Sequence, residues 1–186
     1  MEVLIMNIKK VVLVGMFSGL LAIISPLQII LPFSPVPITL QVVGMVLSGS
    51  ILGSKLGFLS VLIYTILGLV GLPIFAGFKS GVPTLIGPTG GYIIGFIVAA
   101  YIIGKLIEIK DEPGLAYMLF ANIIGLIILY TIGTLQLSFV YTHSIPKAIV
   151  AGVLPYIIPD LIKIFFSSIL VIQVRKILIK SNYIIL

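Results

Sequence analysis

The chain has no cysteine and no tryptophan, a single histidine and only five acidic residues. Without cysteine it can form no disulfide, no thioether-linked haem and no thiolate zinc site, and the absence says nothing about redox compartment. Charged residues of both signs make up 9% of the 186 positions, hydrophobic ones 60%, and the mean hydropathy is +1.36. A water-soluble domain carries about 25% charge, so lipid is the medium that can solvate this surface.

Also missing is the phosphate loop Gly-x-x-x-x-Gly-Lys-[Ser/Thr]. Gly87-Pro-Thr-Gly-Gly has the glycines without the lysine, so the chain does not hydrolyse ATP by that route. An intramembrane enzyme needs a nucleophile with a base, or acids clustered around a metal. His143 falls in an expected external loop and Asp160 is the only carboxylate inside an apolar run, so neither arrangement can be assembled. No catalytic residue, metal or cofactor is expected. The net charge of +6 does not point to nucleic acid, because the basic residues mark the ends of apolar runs and form no exposed cluster.

Measured against a span of about 20 residues, the apolar runs fall at 10–27, 38–53, 56–72, 91–107, 114–134 and 155–174. They predict an all-α membrane protein of six transmembrane helices, multi-pass in the cell membrane, with 1–186 as a single integral membrane domain. Six spans place both termini on one side. If that side is cytoplasmic, Lys9, Lys10, Lys55, Lys105, Lys110, Arg175, Lys176 and Lys180 lie inside and only Lys79 and Lys147 outside, as the positive-inside rule requires. The first run lacks a small-residue cleavage pattern and reads as a retained helix. Glu2, Glu108, Asp111 and Glu112 read as solvated ends.

Asp160 and Lys163 break this pattern. They stand three residues apart within Pro155-Tyr-Ile-Ile-Pro-Asp-Leu-Ile-Lys, on one face of the last expected helix, in the outer half of the bilayer. Ionisable groups inside spans usually face a cavity and serve a substrate or ion. A structural alternative is that Pro159 starts the helix, Asp160 complements its positive dipole end and Lys163 neutralises Asp160.

Two long connections, 28–37 and 73–90, are expected to close over the same end of the bundle. The first leads through Pro32-Phe-Ser-Pro-Val-Pro-Ile-Thr-Leu-Gln41, whose prolines stiffen an extended segment. The second contains Gly71-Leu-Pro-Ile-Phe-Ala-Gly-Phe-Lys-Ser-Gly81 and ends in Gly87-Pro-Thr-Gly-Gly-Tyr92. Its glycines let backbone amides approach a bound molecule, and Phe75, Phe78 and Tyr92 offer flat apolar surface.

In order and spacing, Pro35-Val-Pro-Ile-Thr-Leu-Gln41, Gly71-Leu-Pro-Ile-Phe-Ala-Gly77, Gly87-Pro-Thr-Gly-Gly-Tyr-Ile-Ile-Gly-Phe96 and Gly152-Val-Leu-Pro-Tyr…Asp160-Leu-Ile-Lys163 resemble the successive motifs of the BioY family. These are the biotin-binding S components of energy-coupling factor (ECF) transporters, membrane proteins of six helices. The resemblance implies the S-component fold and capture of extracellular biotin, with Asp160 and Lys163 contacting its polar groups. It also carries Gln41, Phe75, Phe78, Thr89, Gly90, Gly91 and Tyr92 into the binding site. Asp160 would accept from the ureido N–H groups, while Lys163 would donate to the ureido carbonyl or pair with the carboxylate. Having no ATPase motif, such a chain needs a transmembrane T subunit and two ATPases. Gly15 and Gly19 form a small-x-x-x-small face on the first helix, with Ser18 and Ala22 beside it. The resemblance makes that face the T-subunit dock. The neighbouring alternatives are an S component for another small vitamin, or a biotin transporter that works without ATPases.

Overall fold

The computed structural model describes residues 2–110 and 112–180, with side chains described from 8 to 178 except at 111. Asp111 and the side chains of Glu2 and Lys180, expected to be chain-end charges, lie outside the described residues. Helix α1 (Glu2–Ile24) stops before Ser25-Pro26, short of the expected residue 27, because the residue preceding a proline is driven out of the α region. The chain then crosses one end of the bundle as two short antiparallel strands, β1 (Gln28–Ile29) and β2 (Ile38–Thr39), with Gln28 opposite Thr39.

The spans expected at 38–53 and 56–72 come from one stretch, α2 (Gln41–Leu69), which breaks at Gly53 with φ 81° and ψ −174°. Only glycine adopts that conformation readily. The break reverses the chain. Gln41 Nε2 donates to the Tyr64 hydroxyl at 2.9 Å, although 23 residues of continuous helix would separate the two by about 35 Å. The α2 stretch is thus an antiparallel hairpin with limbs 41–52 and 54–69.

Breaking a helix creates two new ends with unsatisfied backbone groups and opposite dipole charge. Glu108, just past α4 (Gly90–Ile107), accepts the Ser54 backbone N–H at 2.7 Å and the Ser54 hydroxyl at 2.8 Å. From α7 (Ile157–Lys180), Arg175 donates to the Ser50 carbonyl at 3.0 Å. An acid therefore meets the new N-terminus and a cation the new C-terminus. Glu108 is a clamp on the hairpin and not merely a solvated end. Arg175, expected at the inner membrane boundary, is 5% exposed.

Helix α5 (Leu115–Leu137) outruns its expected end at 134 and passes into a π turn, Ser138–Thr142, leaving His143 exposed with a left-handed backbone. Two short helices in the connections, α3 (Val82–Ile86) and α6 (Ile145–Gly152), fell outside the sequence expectation because neither is long enough to span. The six expected spans correspond to α1, the two limbs of α2, α4, α5 and α7. Among the described residues, four stretches, Gln41–Leu69, Gly90–Ile107, Leu115–Thr142 and Ile145–Leu178, are long and apolar enough to cross a membrane.

Helix α4 lies centrally, packed on α2 and α5. A Cβ on Gly104 would fall 2.3 Å from the backbone of Gly53 and Ser54, so α4 meets the hairpin tip backbone to backbone. Within the bundle, Ser50 donates to Asn122 at 2.8 Å and Asn122 to Ser168 at 2.9 Å, joining α2, α5 and α7 through groups that apolar surroundings would penalise if left unpaired. The connections 25–40, 70–89 and 138–156 gather at one end. The hairpin tip, residues 108–110 and 112–114, the start of α1 and the last described turn of α7 lie at the other.

Candidate functional site

Beneath those gathered connections lies a cavity of about 250 Å³. A single water needs about 10–15 Å³ on the same measure, so the space suits a small organic molecule. Its roof is the proline-stiffened segment 34–39, fastened by Ser34 donating to the Ala151 carbonyl at 2.7 Å and by Tyr156 bonding to Ser34 at 2.8 Å and to the Val36 carbonyl. Prolines at 35 and 37 deny this segment two backbone donors, so side chains fix it in place.

Phe75 forms part of the apolar wall. It is 1% exposed, meets Tyr64 edge to face at 5.7 Å, and presses on α2 where Gly68 has no side chain. Ile93, Phe96 and Leu129 continue that wall from α4 and α5. Gln136 holds the second connection down, donating to the carbonyls of Leu85 at 2.7 Å and Gly87 at 2.8 Å.

The polar wall centres on Asp160, in the first turn of α7 and 4% exposed. Lys163 donates to its Oδ1 at 2.8 Å and Tyr130, from α5, to its Oδ2 at 2.8 Å. Lys163 also donates to the Thr39 carbonyl at 2.8 Å, tying α7 to the end of β2. Tyr92 reaches across to donate to the Gly152 carbonyl at 2.8 Å. The dipole-complementing position of Asp160 is therefore real, but its carboxylate also faces an open cavity.

Of the residues singled out from sequence, Asp160, Tyr92, Phe75, Gln41 and Thr89 line the cavity. Lys163 stands behind Asp160. Phe78 is 67% exposed and turned away, held at φ 59° in the 3-10 turn Ala76–Phe78. Gly90 and Gly91 do not line the wall. Side chains there would strike the Leu85 carbonyl at 1.6 Å and the Ile132 carbonyl at 2.7 Å, so these glycines seat α4 beneath α3 and against α5. Tyr130, Tyr156, Gln28 and Lys79 line the cavity and were not found from sequence. A tyrosine within an apolar run was the available signal for Tyr130, since a buried phenol usually finds a partner.

On α1, Gly15 and Gly19 are exposed and a Cβ on either would meet nothing within 4 Å. Ser18 turns inward, donating to the Ser60 carbonyl at 2.8 Å.

The family model described as the BioY family matches residues 1–180. The biotin transporter BioY of Thermotoga maritima is 41% identical over 168 residues, covering 90% of this chain and 96% of its own length. The probable biotin transporter BioY of Pyrococcus horikoshii is 44% identical over 158 residues, covering 85% and 91%. A crystal structure of the S-component for biotin from an ECF-type ABC transporter superposes with a TM-score of 0.85 at 28% identity, covering 91% of this chain and 92% of that one. The chain, a multi-pass integral membrane protein with the S-component fold, belongs to the BioY family.

Proposed function

We propose that this chain is the biotin-capturing subunit of an ECF-type transporter and takes biotin into the cavity beneath its connections. The observation that carries the reading is an ion-paired carboxylate, Asp160, facing an otherwise largely apolar cavity. Biotin offers a ureido ring with two N–H donors, an apolar thioether ring and valeryl chain, and a carboxylate. One ureido N–H meets Asp160, and the thioether ring lies against Phe75 and Phe96. Lys79, which lines the cavity from the second connection, is the cation left for the ligand's carboxylate. Lys163 then acts through Asp160, two of its three donors being engaged by Asp160 and the Thr39 carbonyl.

The end that carries Lys55, Lys105, Lys110 and Lys176 is cytoplasmic on this reading, and the cavity opens outward. Energy comes from a T subunit and two ATPases. Their dock is the α1 face at Gly15 and Gly19, where missing side chains admit close approach of another helix. Gly15→Leu with Gly19→Leu fills that face without touching the cavity. The double variant is expected to bind biotin like the parent and to lose copurification with a coexpressed T subunit; intact assembly would remove the dock from α1.

The reading as a whole is tested by binding labelled biotin to the purified chain, with unlabelled biotin, thiamine and riboflavin as competitors. Displacement by biotin alone is expected. Displacement by thiamine or riboflavin, or no binding by folded protein, would transfer the chain to another ligand.

A further inference from the structure

We propose that the Asp160 side of the cavity presents hydrogen-bond acceptors to a ligand, and that Tyr130 enforces this at Asp160, selecting a ring that shows an N–H donor there. The inference rests on the biotin reading above and names what sets its specificity.

Each phenol has one hydrogen to give. Tyr92 gives its hydrogen to the Gly152 carbonyl at 2.8 Å and Tyr130 gives its own to Asp160 Oδ2 at 2.8 Å. The Tyr156 hydrogen is committed to Ser34 or to the Val36 carbonyl. Thr39, on the same lining, donates to Gln41 Oε1 at 3.0 Å. The Lys163 ammonium, which could have donated into the cavity, is drawn behind Asp160. What these groups leave for a ligand is lone pairs: one or more on each Asp160 oxygen and those of the phenols. The lining donors that remain, Gln28, Lys79, Thr89 and the second amide hydrogen of Gln41, do not come from α5 or α7.

Asp160 held in this way welcomes an N–H group and repels a ring oxygen or an unprotonated ring nitrogen, whose lone pair would be desolvated against other lone pairs. Tyr130 is the residue on which rejection depends. Without its hydroxyl, Oδ2 has no protein donor, Asp160 is held by Lys163 alone, and a water can enter. Water donates as readily as it accepts, so it can satisfy a ligand acceptor that the phenol cannot.

The test is calorimetric titration of the purified full chain and of Tyr130→Phe. The ligands are biotin and the cyclic carbamate in which oxygen replaces the ureido N–H that faces Asp160, identified as the weaker-binding of the two possible carbamates. The parent is expected to favour biotin by about 100-fold or more, and Tyr130→Phe to shrink that ratio about tenfold. A loss of packing alone would weaken both ligands and leave the ratio unchanged. A folded Tyr130→Phe with the parent's ratio overturns the proposal, as does a parent that binds biotin and the carbamate equally. The second result needs no variant, so it decides the matter even if Tyr130→Phe fails to elute as folded protein, and it leaves the biotin reading standing. A parent that binds neither ligand overturns both.

Discussion

Asp160→Asn is expected to weaken biotin binding by about 100-fold, because a bond to a charged acceptor contributes about 1.5–3 kcal/mol and the substitution degrades it. The amide offers one oxygen where the carboxylate offers two, and it turns N–H groups toward either the ligand's own donors or those of Lys163 and Tyr130. Lys163, with a side chain 14% exposed, would also lose its ion-pair partner. Lys163→Met should be milder, about tenfold, since Tyr130 still orients the carboxylate. Calorimetry on protein that elutes like the parent measures both. Parent-like affinity in Asp160→Asn would return the pair to a purely structural role at the start of α7.

Gly104→Val is expected to be the most destabilising single change at the opposite end. Its Cβ would fall 2.3 Å from Gly53 C and Ser54 N and 2.5 Å from Ser54 Cα, all backbone atoms that no rotamer change can move. To make room, the hairpin tip must leave α4. That movement pulls Ser54 from Glu108, which lies four residues beyond Gly104 on the same helical face. Overpacking and the lost charge-assisted bonds together imply about 3 kcal/mol or more. For a chain of this size that is a fall of about 6–12 °C in the thermal midpoint. Gly114→Ala is the matched control, because nothing lies within 4 Å of its Cβ. Equal midpoints for the two variants would show that α4 and the hairpin tip are not packed backbone to backbone.

The way these two positions came to light differs. Asp160 and Lys163 were legible because charge inside an apolar run has few explanations in lipid. The hairpin was legible only as two runs separated by Ser54-Lys55; that one glycine reverses the chain follows from its φ of 81°, which sequence does not display. Glu108 and Arg175 read as ordinary boundary charges. Their work as caps depends on a helix break that brings Ser54 and Ser50 to them across the fold. Tyr130 was hidden for a related reason, as its meeting with Asp160 depends on how α5 and α7 turn toward each other. Gly90 and Gly91 misled in the other direction: glycine density resembles a ligand-approach loop, and here it serves helix packing.

The most direct test of the account is a crystal structure of the chain grown with biotin. One ureido nitrogen should lie within about 3.2 Å of an Asp160 carboxylate oxygen, with the thioether ring on Phe75 and Phe96 and the valeryl carboxylate toward Lys79. Biotin bound the other way round, its carboxylate against Lys163 and its ureido ring at Lys79, or bound outside this cavity, would contradict it.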